Sequence, residues 1–129
     1  MTRSEIEQLL AQYRAGLEAE MLLLRQLSAL ARRQKASTES RNFEQLAAES
    51  DERDRVTRSL VALEDGLADV RHRLAAVKAQ AATLPAYTVI VEMRRQAAEL
   101  VSSVLSVSQE SLKSLADAEM ARRAAMARR

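Results

Sequence analysis

Apolar residues recur along this chain at alternating steps of three and four. The longest such run is Leu60, Leu63, Leu67, Val70, Leu74, Val77, Ala81 and Leu84. That spacing lays a seam along one face of a helix, and a seam of branched aliphatics needs a partner helix to leave water. A similar seam precedes it in Ile6, Leu10, Tyr13, Leu17, Glu20, Leu24, Leu27 and Ala31. A wide apolar face follows it, with Ile90, Met93, Ala97, Leu100, Val101, Val104, Leu105, Leu112 and Leu115. The pattern predicts a single all-α domain over 1–129, an elongated antiparallel three-helix bundle with coiled-coil-like packing. Its helices fall at about 4–35, 42–84 and 86–127.

The ends of these helices follow from local chemistry. Thr2-x-x-Glu5 and Ser4-x-x-Glu7 both fit a capping box at the first helix. The basic turn Arg32-Arg33-Gln34-Lys35 closes it, and the polar stretch Ala36 to Asn42 reads as a loop. Pro85 disfavours helical geometry in the residue before it and suits the first turn of a new helix, so the second break is expected at Leu84. At about 1.5 Å per residue the first helix spans roughly 45 Å and the other two roughly 60 Å each.

A first loop centred near residue 39 sets Ser4 level with about Leu74. Residues around 75–95 would then form a two-helix tip not covered by the first helix. That tip carries Tyr87, Val89, Ile90, Val91 and Met93, and uncovered apolar surface of this kind marks an interaction site. The competing expectation is a late start of the third helix, with this run coiling back over the tip.

Several residues interrupt the seams. Glu20 lies on the first seam, within reach of Arg55 and Arg58 in that register, and Glu49 and Arg53 form an i,i+4 pair in the favourable order. Gly16 and Gly66 fall within about one turn of each other and would permit close approach of the first two helices. Met21-Leu22-Leu23-Leu24 is apolar around most of a turn, which suits a helix that uses two faces. Ser102, Ser103, Ser106, Ser108, Ser111 and Ser114 crowd the third helix among valines, so its order depends on packing or on a partner.

Composition narrows the function. The chain has no cysteine, which excludes disulfides and thiolate metal sites, and its single histidine, His72, lies between two arginines on a solvated face. No serine has a general-base partner and no second acid accompanies Glu20 in a cleft, so the chain is not read as an enzyme and no cofactor or metal is expected. The net charge of +2 resides in the last turns, where Arg122, Arg123, Arg128 and Arg129 outweigh Asp117 and Glu119. Arginines there complement a helix dipole, and three aromatic residues make no base-stacking platform, so nucleic acid is not the expected partner. No apolar stretch reaches the length of a membrane span, and Met1-Thr2-Arg3-Ser4-Glu5 leads directly into a helical pattern without a signal-peptide core. The expected location is the cytoplasm.

The segment Asn42-Phe43-Glu44-Gln45-Leu46-Ala47-Ala48-Glu49, followed by Ser50-Asp51-Glu52-Arg53-Asp54-Arg55, resembles the start of the second helix in FlgN-type flagellar export chaperones. Leu100-Val101-Ser102-Ser103-Val104-Leu105 and Glu110-Ser111-Leu112-Lys113-Ser114-Leu115 are similar to that family's serine-rich last helix. The resemblance covers most of the chain in loose motifs and implies a cytoplasmic chaperone for type III secretion. Such a chaperone holds the C-terminal amphipathic helices of hook–filament junction proteins. It nominates the third helix for protein binding, with Leu100, Val104, Leu105 and Leu112 as anchors at helical spacing. Tyr87 and Ile90 of the tip complete the candidate set, and a homodimer is compatible with it. Two alternatives stand beside this reading. One is a self-assembling structural or adaptor coiled coil without a client. The other is a secretion-ATPase stalk, which the Leu84-Pro85 break disfavours.

Overall fold

The computed structural model describes residues 1–127, all helix or connection. Four helices follow one another: α1 (Arg3–Glu39), α2 (Phe43–Ala76), the single turn α3 (Lys78–Ala81) and α4 (Pro85–Ala127). The all-α expectation holds, with three long helices and one short one. α1 opens on the capping box of Thr2 and Glu5. The Glu5 amide donates to Thr2 Oγ1 at 3.2 Å, and the Thr2 amide donates to Glu5 Oε2 at 3.1 Å.

α1 is the centre of the molecule. It packs against both α2 and α4, while α2 and α4 meet each other almost only through side chains that reach across it. α2 runs antiparallel to α1, with Leu67 against Gly16 and Glu49 against Ser37. α4 runs parallel to α1: Ile90 joins Ile6 and Leu10, Ala97 joins Met21 and Leu24, Val104 joins Leu27 and Leu30, and Lys35 pairs with Glu110 at 2.7 Å. Met21 and Leu24 are buried, Leu23 is half-buried and Leu22 is exposed, as a helix with two packed faces requires.

Three sequence expectations are corrected. First, α1 continues through Ala36–Glu39, which was expected to be loop. Ser37 and Thr38 are buried there with their hydroxyls satisfied. Thr38 Oγ1 donates to the Gln34 carbonyl at 2.8 Å, and Ser37 Oγ donates to Glu49 Oε1. The helix closes by the Asn42 amide donating to the Ser37 carbonyl and the Arg41 amide donating to that of Thr38, with Arg41 left-handed at φ 59°. Second, this later turn slides the α1–α2 register about one and a half turns along α2. Glu20 therefore faces Glu64 instead of Arg55 and Arg58. Arg53 donates to Gln34 Oε1 at 2.8 Å and to Ser108 Oγ at 2.7 Å, and does not pair with Glu49.

Third, α2 ends at Ala76, eight residues before the expected break, because Val77 leaves helical geometry (φ −119°, ψ 25°). The last positions of the seam, Ala81 and Leu84, turn inward onto Ile6 and Ile90. Ile90 of the tip is thus covered by the N-terminal turns of α1 together with the connection through α3, while Val89 and Val91 stay exposed. Pro85 opens α4 as its first residue, one position before the expected start. At the opposite end α4 outlasts α1, and from Met120 to Ala127 every residue is exposed. Arg128 and Arg129 of the basic tail lie outside the described residues.

Candidate functional site

The six residues nominated from sequence divide into three groups. Ile90 (2% exposed) and Val104 (4%) face α1 and are core, which removes them from any surface a partner could touch. Tyr87 and Leu100 are half-buried, packed against the same core. Leu105 (57% exposed) and Leu112 (67%) are exposed on α4. Val101, four residues before Leu105, is exposed with them. These three step 4 and 7 along α4 and form one stripe on the helix surface.

Past Val104 and Val107, which pack on Leu27, Leu30 and Ala31, the interior beneath the stripe turns polar. Where α1 meets the N-terminal half of α2, Gln34 Nε2 donates to Ser50 Oγ at 3.0 Å and Arg53 links α1, α2 and α4. Glu49 is 3% exposed and its Oε2 has no protein donor, and the hydroxyl of Ser111 on α4 is likewise buried without a partner. α4 therefore rests its second half on serines, with little apolar burial to hold it. Regions of few apolar contacts open first in local unfolding.

A second feature is a groove between α2 and α4, floored by α1. Its wider part, about 410 Å³, lies over Leu10 and Tyr13 and is rimmed by Arg71, His72, Lys78 and Arg94. It runs on into a hollow of about 190 Å³ over Leu17 and Glu20, with Tyr13, Arg71 and Arg94 shared between the two. His72 is exposed, as expected of a solvated position. Among the described residues no group of acidic and histidine side chains is placed to hold a metal ion.

In the smaller hollow Glu20 of α1 faces Glu64 of α2, and Arg71 Nη2 donates to Glu64 Oε2. Burial and the facing Glu64 carboxylate raise Glu20 from 4.5 to about 7, against the opposing pull of Arg71. Glu64 is lowered by the facing Glu20 carboxyl and by Arg71. Burial raises the Tyr13 phenol, partly offset by Arg94 and Arg71. Between pH 4.5 and 7 the folded chain thus keeps a proton on Glu20 that the unfolded chain has lost. Stability is expected to fall as pH rises through that window. Glu20→Gln, which fixes the neutral form, should flatten the urea midpoint between pH 4.5 and 7 and raise it at pH 7.5. An unchanged slope would place the titration elsewhere.

Comparison with known proteins finds no matching family model, no matching curated protein and no matching solved structure. Among the described residues no helix is long and apolar enough to cross a membrane.

Proposed function

We propose that this chain is a cytoplasmic helix-binding module that acts as an export chaperone, holding amphipathic C-terminal helices of flagellar hook–filament junction proteins. The observation that supports it is the α4 stripe of Val101, Leu105 and Leu112, exposed on a helix whose inner face is weakly held by serines. An amphipathic helix laid along that stripe would bury the leucines through anchors at three- and four-residue spacing. The same helix outlasts the bundle, so a client could be gripped without unfolding the core.

Leu105→Asp together with Leu112→Asp should weaken binding of a junction-protein C-terminal peptide at least tenfold, about 1.4 kcal/mol, while the helical circular dichroism and urea midpoint stay within the range of surface changes. Calorimetry with the purified peptide is the measurement. Unaltered affinity would remove the stripe from the binding site.

The exposed Phe43, Met120 and Met126 at the far end favour a second reading, a self-assembling structural or adaptor bundle without a client. A defined oligomer in analytical ultracentrifugation that Met120→Asp dissolves would support that reading.

A further inference from the structure

The groove between α2 and α4 meets the α4 stripe at Val101, which lines its smaller hollow, but differs from the stripe in its chemistry. Its wider part is lined by four basic side chains and no acidic one. Arg71 is held by Glu64. Among the described residues Lys78 and Arg94 take part in no ion pair, and both are exposed. Between these cations the floor is apolar, with Leu10 and Ile90 buried and Leu74 half-buried. At the opposite end of the groove Glu20 and Glu64 stand beside Arg71 and Arg94, so the positive charge there is offset.

From Leu10 to Glu20 the floor runs about 15 Å along α1, the length of nearly three helical turns. A trough of that length, open along its top, suits a rod with two or three apolar anchors better than a compact small molecule. We propose that this groove seats an acidic amphipathic helix of a partner protein, its leucine-like anchors against the half-buried Leu74 and Tyr87 and its carboxylates over Lys78 and Arg94. The carboxylates belong to the end of the partner helix over Lys78, since no acid offsets the cations there as Glu20 and Glu64 do at the other end. The proposal rests on the reading of the chain as a helix-binding module and adds to it a second contact surface and the charge of what fits there. Like-charged partners would be turned away at the same rim, so the groove discriminates as well as binds.

The chain offers its own reporter. Both of its tyrosines, Tyr13 and Tyr87, line the wider hollow, and it has no tryptophan. The probe is a 14-residue peptide without aromatic residues, with leucines at positions three and four apart and glutamates confined to one end. It is titrated against the full chain and followed by tyrosine emission. A twin carries lysines for the glutamates, and a scrambled peptide has the same composition without an apolar face.

The expected result is saturable binding of the glutamate peptide, weakened by salt, with the lysine twin at least tenfold weaker and the scrambled peptide silent. Lys78→Glu with Arg94→Glu should invert the preference between the two charged peptides, and Arg32→Glu with Arg33→Glu, exposed on α1 outside the groove, should leave it unchanged. Equal binding of the twins, no binding of either, or a preference that survives the charge reversal would overturn the proposal. Ultracentrifugation of the unliganded chain tests the remaining occupant. A dimer dissolved by Lys78→Glu with Arg94→Glu would place a second copy in the groove and overturn the partner assignment. If the glutamate peptide loses affinity only with Leu105→Asp and Leu112→Asp, the helix-binding reading stands and the groove proposal fails. The two failures are therefore distinguishable.

Discussion

Ile90→Ala is expected to lower the unfolding free energy by about 2–5 kcal/mol, the range for removing a buried aliphatic and leaving its cavity. Ile90 is 2% exposed and packs in one cluster with Ile6, Leu10, Tyr13, Ala81 and Leu84. Three separate stretches of chain meet on it: the start of α1, the α3 connection and the start of α4. Half-buried Met93 and Tyr87 pack on the same cluster and can relax into part of the space, so the loss should fall within that range rather than above it. Leu112→Ala on the same helix removes a side chain that is 67% exposed, and should change stability by less than about 0.5 kcal/mol. Urea unfolding of the two variants side by side decides the matter. A small loss for Ile90→Ala would mean that α1 does not cover Ile90, and would return it to the exposed surface that the apolar run around it suggests in sequence.

That contrast also shows what was legible. The α1 seam was readable because its period is local: Ile6, Leu10, Tyr13, Leu17, Leu24, Leu27 and Ala31 are all buried. The capping box of Thr2 and Glu5 and the position of Pro85 at a helix start were readable for the same reason. Register was not, because it hangs on where the first turn falls. Polar residues at Ala36–Glu39 look like loop when their partners are unknown. In the fold, Glu49 comes from another helix to accept the Ser37 hydroxyl, and a left-handed Arg41 does the closing that glycine usually advertises. A shift of about one and a half turns then carried α1 far enough to cover Ile90. The break at Val77 was hidden as well, since the seam continues in unbroken three-four steps through Ala81 and Leu84 even though the helix does not.

The candidate surfaces were legible to different degrees. Leu105 and Leu112 stand out as apolar positions at helical spacing, and they are exposed, whereas Val104 beside them points into the core. A face three residues wide cannot be divided into inner and outer halves without knowing where α1 lies. The groove left no signature in sequence at all. Arg71, His72, Lys78 and Arg94 come from three elements, and each alone reads as an ordinary solvated charge. Only the separation of α2 and α4 over α1 gathers them around one apolar floor.

Gly16→Ala tests the α1–α2 contact that fixes this whole arrangement, and it should destabilise the fold by about 1–3 kcal/mol. In a solvated helix the same change would add roughly 1 kcal/mol of stability, because glycine is the poorer helix former. Here a methyl group at position 16 would collide with Leu67 Cδ2 and lie 2.9 Å from Leu67 Cγ. Turning the end of the leucine away cannot relieve the contact at Cγ, and Leu67 is itself buried in the cluster with Leu10, Tyr13 and Leu17. Overpacking therefore outweighs the gain in propensity. Gly66 is the internal control. Expected from sequence to share the close approach, it has nothing within 4 Å of where a methyl group would stand. Gly66→Ala should accordingly raise stability by roughly 1 kcal/mol. Opposite signs for the two substitutions in thermal or urea unfolding would fix Leu67 on Gly16 and the register with it. Stabilisation by both would mean that α1 and α2 pack in a different register, and with it would go the facing of Glu20 by Glu64 and the groove built above them.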